Sequence, residues 1–416
     1  MKITFLGGAG EVGRNAFLLE EKQTRIMLDF GVRIQPEPPT YPEQTPEVDA
    51  IILSHAHLDH CGGIPALYRK GNPMLVTNDV TLELIQLLIN DSMKISRLEG
   101  FPIPYDRRDV QKMLASAHIV PYRKHFDIKQ FRCEFYDAGH IPGSCGTLIE
   151  SKESGKRIFY TGDIDFKPTE LLNGCNLPGK IDTLIIECTY SNRDHPPREK
   201  EKKRFLEIVE SVVANNERAL FPVFALGRSQ EVLLILEKFA KKVSLDGMAK
   251  SASDIILQYP QYLRNAKRLR TVLNRTSWVY TQELRKHALK HAQLIVSPAG
   301  MLSGGPILFY LGALKNDKTL KILLTGFQVE DSAGFKLVNT GMFEHDEEHF
   351  KVAGKCERFD FSSHAGRSDL FKIIEKVKPK RVICIHGDDC KSFAREIKKK
   401  YNISATAPDI GETIEI

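Results

Sequence analysis

Apolar and polar residues alternate in short runs along the first sixty positions, and the two-residue period predicts strands over 2–6, 16–20, 25–29 and 49–54. Pro36, Pro38, Pro39, Pro42 and Pro46 interrupt the chain between the last two, so that interval reads as loop. The period then lengthens. Leu82, Ile85, Leu88 and Ile89 share one helical face and predict an amphipathic helix over 79–96, and 108–117 is a second helix candidate. Strands resume at 131–137, 146–150, 157–161 and 182–187. Beyond Tyr190 the texture changes to charged helix (199–215), short strand (220–223) and a helix over 228–242 with Val232, Leu233, Leu236 and Phe239 on one face. This alternation runs to about residue 350, after which a helix (368–377) and a strand (381–385) follow. The pattern describes a strand-rich shell, an α/β segment and a short return.

The strand predicted before residue 55 delivers an unusual run, His55-Ala56-His57-Leu58-Asp59-His60. Two histidines two positions apart project to one side of an extended chain, and Asp59 and His60 follow once the chain turns. Imidazole and carboxylate packed this densely suit zinc or a similar first-row divalent ion. Three further segments share one form, an apolar strand ending in a lone ligand beside glycine, and they present His140, Asp163 and His386. The expected division places His55, His57 and His140 on one ion and Asp59, His60 and His386 on a second, with Asp163 bridging. Asp29, at the end of Ile26-Met27-Leu28, is read as supporting the ligands from behind rather than binding an ion. Gly8-Ala9-Gly10-Glu11-Val12-Gly13 matches a dinucleotide-binding fingerprint, but the segment after it reads as strand and turn rather than helix, so it is taken as a tight turn near the metal site.

Bulk properties narrow the class. At 416 residues, 42% hydrophobic and 27% charged, the chain is expected to be a globular protein of two or more domains. It has no apolar run near the roughly 20 residues of a membrane span. No membrane partner is expected, and a cytoplasmic location is. Eight cysteines without a Cys-x-x-Cys pair fit reduced thiols. Residues 190–351 hold 25 Lys and Arg against 18 Asp and Glu, so the whole +6 surplus of the chain sits in this middle segment. That asymmetry suits a polyanion.

These residues resemble the metallo-β-lactamase superfamily. Asp182-Thr183-Leu184-Ile185-Ile186-Glu187-Cys188-Thr189-Tyr190, Phe361-Ser362-Ser363-His364-Ala365-Gly366-Arg367 and Ile385-His386-Gly387-Asp388 are similar to three motifs of its β-CASP nuclease branch. So are Phe221 to Glu231, Ser297 to Pro306 and Leu324 to Gln328. The resemblance covers nearly the whole chain in order. It is nearest to the short archaeal homologues of the cleavage and polyadenylation specificity factor nuclease, those without KH domains. It implies an α/β fold, a four-layer αβ/βα sandwich in two parts (1–189 and 352–416) with an inserted β-CASP α/β domain at 190–351, and a substrate cleft between them. The implied activity is a zinc-dependent ribonuclease with two divalent ions, cutting single-stranded RNA internally, with 5′→3′ trimming left open as a second mode, in RNA processing or decay. Asp59, Glu187 and His364 form the implied catalytic set, His364 protonating the leaving oxygen and Glu187 orienting it, to yield 5′-phosphate and 3′-hydroxyl products.

RNA contacts are expected from the basic insert: Arg228, Arg264, Lys267 and Arg268 at phosphates, with Arg270 and Arg275, and Tyr259, Tyr262 and Trp278 as stacking candidates. Ser303, Gly304 and Gly305 are candidates for an amide-lined pocket that would take a terminal phosphate. The strand-like ending 407–416 resembles tails that pair subunits, so a homodimer is expected, and a larger RNA-processing assembly is open. The competing readings are a non-catalytic RNA-processing scaffold, a DNA nuclease of the same branch and a small-molecule hydrolase.

Overall fold

The two-residue alternation builds a pair of seven-stranded sheets in the computed structural model, which describes residues 1–330 and 332–416. One sheet runs in the order Thr413–Glu415, Lys2–Gly7, Ala16–Glu21, Thr24–Phe30, Ala50–Ile52, Met74–Thr77 and Ala117–Ile119. The other runs Ser404–Thr406, Arg381–Ile385, Thr183–Glu187, Arg157–Tyr160, Cys145–Ser151, Phe131–Asp137 and His125–Ile128. Alternate residues of each strand serve different layers. Phe5, Phe17, Leu28, Ile52, Phe135, Ile158, Tyr160, Ile185 and Ile383 meet between the sheets. Phe159, Leu184, Ile186, Val382 and Cys384 face the other way, onto Leu370, Ile374, Phe393 and Ile397 of helices Arg367–Val377 and Cys390–Tyr401. Helices Asp79–Leu98 and Arg107–Ala115 form the crossover between parallel strands Met74–Thr77 and Ala117–Ile119. Side chains Asn78 and Asp106 cap their first turns. This is the αβ/βα sandwich that the resemblance implies.

Those elements make the first of two compact units, Met1–Pro168 with Asn173–Asp194 and Ser363–Ile416. The second, Thr169–Leu172 with His195–Ser362, is built on a six-stranded sheet ordered Ser277–Trp278, Val243–Leu245, Leu294–Ser297, Ala219–Pro222, Lys321–Leu324 and Lys355–Arg358. Every pairing in it is parallel. The unit differs in span from the expected 190–351 for a physical reason: strand Lys355–Arg358 hydrogen-bonds to Lys321–Leu324, so residues past 351 stay with the insert's sheet. The expected helix over 228–242 divides into Arg228–Ile235 and a 3₁₀ turn, Glu237–Lys242. The carboxy-terminal strand Thr413–Glu415 pairs antiparallel with Lys2–Gly7 of its own chain. No helix among the described residues is long and apolar enough to cross a membrane.

Candidate metal centre

Strand direction gathers the candidate ligands. Strands Arg157–Tyr160, Thr183–Glu187 and Arg381–Ile385 are parallel, and Phe131–Asp137 recovers the same direction through two antiparallel steps across Cys145–Ser151. Their carboxyl ends share one edge, where Asp163, Glu187, His386 and His140 follow. The loop after Ala50–Ile52 reaches that edge, with Cys145 N–H donating to the Ser54 carbonyl at 2.8 Å. It carries His55 and His57, and the single turn Leu58–Cys61 carries Asp59 and His60. The backbone fits closely: a Cβ at Gly31 would lie 1.8 Å from the Asp59 carbonyl oxygen, so only glycine is accommodated there.

The ligand atoms of His55, His57, His140 and Asp163 all lie within 4.8 Å of one another, and so do those of Asp59, His60, Asp163 and His386. Asp163 belongs to both constellations. In the first, His57 Nδ1 is 3.2 Å from His55 Nε2 and 3.1 Å from His140 Nε2, and Asp163 Oδ2 is 3.6 and 3.7 Å from those two Nε2 atoms. In the second, Asp163 Oδ1 is 3.2 Å from His60 Nε2 and 3.1 Å from His386 Nδ1, while Asp59 Oδ2 is 3.3 Å from His386 Nε2. Ligands at 2.0–2.1 Å in a tetrahedron stand about 3.3 Å apart, so both groups have nearly the spacing of a coordination shell. Buried Asp163 Oδ1 makes no hydrogen bond, although two imidazoles face it. An orphaned carboxylate oxygen and converging imidazole nitrogens fit divalent cations.

Protonation tells the same story. Burial holds His55 and His140 well below the ordinary histidine value and brings His57 down to about 4, so all three present lone pairs. In the second group burial also opposes charge, but Asp163, Asp59 and Asp29 outweigh it and push His60 up to about 10. His386 is likewise raised, and Asp163 is held well below the usual carboxylate range by His386 and His60 against its own burial. The metal-free site therefore keeps protons that a cation would displace.

His140, His55 and His60 are also held from behind. His140 Nδ1–H donates to the Ser363 carbonyl at 2.7 Å, and His55 Nδ1 lies 3.0 Å from Ser54 Oγ. Asp29 is fully buried and accepts from Ser54 N–H (2.7 Å), Ser54 Oγ–H (2.6 Å), His60 Nδ1–H (2.6 Å) and Tyr160 O–H (2.5 Å). It thus stands behind His60, one of the candidate ligands. Ser54, Tyr160, Asn15 and Thr189 escaped the sequence reading. Asn15 Nδ2 lies 3.0 Å from His60 Nε2, and Thr189 Oγ1 lies 3.2 Å from His386 Nδ1. Thr189 follows the strand-end Glu187 by two, which was a usable signal; Asn15 and Tyr160 carried none. The glycine-rich turn after Lys2–Gly7 does abut the site, since His386 N–H donates to the Gly8 carbonyl at 2.7 Å, and a strand rather than a helix follows it.

Beside the constellations stands a third group, Asp163, Glu187 and His364. Buried Glu187 accepts from Ile164 N–H at 2.9 Å, from Thr189 N–H at 3.3 Å and from His364 Nδ1–H at 2.9 Å. Burial pulls the His364 value down, but Glu187 and Asp163 overcome it and the net shift is upward. His364 is the group among these with a partly exposed ring, at 19%.

In the second unit, Arg228 opens the helix after Ala219–Pro222, and Ser303, Gly304 and Gly305 occupy the loop after Leu294–Ser297, where both glycines have positive φ. Lys267 is exposed. Arg264 and Arg268, expected at phosphates, are engaged within the fold: Arg264 donates to the Thr169 carbonyl at 2.6 Å, and Arg268 pairs with Glu170 and, at 2.8 Å, with Glu237. Tyr262 is buried, which removes it as a stacking surface.

The chain is similar to several known proteins. Residues 229–337 match the family model of the Beta-Casp domain, residues 350–408 that of the Zn-dependent metallo-hydrolase RNA specificity domain, and residues 1–197 that of the anti-Pycsar protein Apyc1. The whole chain aligns with the whole of a probable RNase MJ4 from Methanocaldococcus jannaschii at 36% identity. It aligns at 33% with RNase aCSPSF2 of Saccharolobus solfataricus, covering all of this chain and 85% of that one. Transcription termination factor FttA of Methanocaldococcus jannaschii is 32% identical over 98% of this chain and 70% of its own. A crystal structure of a protein of unknown function from Enterococcus faecalis superposes with a TM-score of 0.62 at 17% identity, covering 99% of each chain, and bears on the fold alone.

Proposed function

The chain belongs to the β-CASP branch of the metallo-β-lactamase superfamily, and from that footing we propose that it is a ribonuclease hydrolysing phosphodiester bonds within single-stranded RNA, with two zinc ions as its cofactors. The observation that carries this reading is the pair of ligand constellations sharing Asp163 next to the Glu187–His364 pair. When bound, the ions supply Lewis acidity that neutralises charge on the phosphate's non-bridging oxygens. The protein's own residues do the rest. Asp29, Ser54 and Ser363 hold His60, His55 and His140 in single orientations. Asp59 completes the second shell of ligands, and it is counted with the catalytic residues for that reason. Water adds to phosphorus as the P–O3′ bond breaks; His364, kept cationic by Glu187, donates its proton to the departing O3′, so the products carry 5′-phosphate and 3′-hydroxyl ends. A scaffold without activity is disfavoured because every candidate ligand position is filled.

Relatives named as ribonucleases support RNA as the substrate, and the basic surplus of the insert supports a polyanion. Digestion of RNAs labelled at either end, carrying 5′-triphosphate, monophosphate or hydroxyl, tests the reading. Internal fragments from all three are expected; mononucleotides released stepwise from the monophosphate alone would replace internal cutting with 5′→3′ trimming, and no cleavage with zinc supplied would reject the proposal. A homodimer joined at Thr413–Glu415 is part of the proposal, because that strand stands at the edge of its sheet. A monomer mass in solution would remove it.

A further inference from the structure

Strand Ser277–Trp278 stands at the edge of the second unit's parallel sheet, and its carboxyl end continues through Val279 to Tyr280. Val279 is buried and its N–H donates to the Leu245 carbonyl at 3.0 Å, so the chain is still extended there and residues 278 and 280 share the opposite side. Their rings lie within 20° of parallel, with centroids 6.0 Å apart. The pair is held firmly. Trp278 Nε1–H donates to the Leu273 carbonyl at 3.0 Å. Lys250 Nζ sits 5.1 Å from the Tyr280 centroid, fixed by Asp246 at 3.3 Å and by the Val279 carbonyl. Tyr280 nevertheless remains 65% exposed.

An exposed aromatic surface at the carboxyl end of this edge strand lies on the side of a parallel sheet from which α/β folds bind ligands. Charge says which ligand. Between Gln261 and Gln293 stand eight Lys and Arg against a single acid, Glu283, which equals the whole positive surplus of residues 190–351. Arg264, Arg268 and Arg285 are engaged within the fold, whereas Arg275, Lys286 and Lys290 are exposed. Aromatic faces set among exposed cations suit a strand of phosphates whose bases are unpaired. A duplex has no base face to offer.

We infer that Trp278 and Tyr280 form a base-stacking platform for an unpaired nucleotide of single-stranded RNA, with Arg275 and Lys286 contacting the adjoining phosphates. The inference rests on RNA being the substrate. It names a binding residue, Tyr280, that the pattern of the sequence did not single out.

The test mixes the intact, metal-loaded chain with 12-nucleotide RNAs carrying 2-aminopurine at successive positions, read by stopped flow before turnover. One register of the probe should be quenched by stacking. Tyr280→Ala should abolish that quench and weaken binding roughly five- to hundredfold, while the dependence of affinity on salt keeps its slope because no phosphate contact is lost. Tyr280→Phe should retain quench and affinity, and Lys286→Ala should lower the salt slope. Wild-type affinity and quench in Tyr280→Ala would overturn the platform, as would an equal loss in Tyr280→Phe, which would point to the hydroxyl. An unchanged Tyr280→Ala protein that cleaves RNA normally would leave the ribonuclease reading standing and identify the patch as a protein-facing surface. A wild-type chain that neither binds nor cuts RNA would defeat both.

Discussion

Replacing Asp29 by asparagine tests how the ligands are held without touching any of them. Asp29 Oδ2 accepts from three groups, Ser54 Oγ, His60 Nδ1 and Tyr160 Oη, while Oδ1 accepts from the Ser54 amide. An asparagine has one acceptor oxygen and one donor nitrogen, so at least one of four buried donors must face an N–H₂ group. Leaving such a donor unsatisfied costs about 1–3 kcal/mol. The imidazole of His60 also loses its anionic partner, and the loss of such support for a ligand lowers metal affinity about 10–100-fold, or roughly 1.4–2.7 kcal/mol. The first figure is a folding cost, read by denaturation, and the second a binding cost, read by metal titration. Titration with Co²⁺ or Zn²⁺ against a chromophoric chelator should resolve weakening at the ion held by Asp59, His60 and His386. The ion held by His55, His57 and His140 should weaken less, because Asp29 reaches that group only through Ser54. Unchanged affinity at both ions in a folded Asp29→Asn protein, or weakening confined to the His55 side, would refute the reasoning.

Other outcomes are expected from the same geometry. His364→Ala should lower kcat for RNA cleavage by about 10²–10⁴-fold with metal content unchanged by elemental analysis; full activity would remove His364 from the chemistry. If His364 works protonated, its raised pKa gives kcat a limb that falls as pH rises through that value in the metal-loaded protein. Glu187→Gln should move this falling limb to lower pH, and an unmoved limb would assign it to another group. In the metal-free chain, His60 at about 10 against an unfolded value near 6.5 contributes stability that is fully present below pH 6.5 and lost progressively toward pH 10. The urea midpoint of metal-free protein should therefore decline over that window, and a flat profile would contradict it. Gly31→Ala, whose Cβ would meet the Asp59 carbonyl oxygen, should destabilise the fold by about 1–3 kcal/mol in chemical denaturation; a neutral effect would show that the loop yields.

The candidate ligands and the elements that carry them were legible because both signals are local. A short apolar run ending in a lone histidine or aspartate beside glycine is recognisable within ten residues, and strands Phe131–Asp137, Arg157–Tyr160, Thr183–Glu187 and Arg381–Ile385 lie where alternation predicts them. Their common edge follows from strand direction, which tertiary pairing sets: Thr183–Glu187 and Arg381–Ile385 pair in parallel although the whole insert separates them in sequence. The insert was harder to bound. Strand Lys355–Arg358 follows the hairpin Met342–Lys351 in sequence yet pairs with Lys321–Leu324, and no local period announces such a partner.

Composition and spacing alone pointed to the kind of chemistry, since three histidines and an aspartate within six positions suit a divalent cation. Tertiary packing decided which neighbours serve them and which charges face solvent. Tyr160 reaches Asp29 across 131 positions, and Arg268 meets Glu170 across 98, so neither fate could be read near either residue. Trp278 and Tyr280 look alike along the chain, yet burial covers much of one and leaves the other exposed. Exposure and pairing depend on what the rest of the fold brings alongside, whereas a ligand's identity travels with the side chain itself.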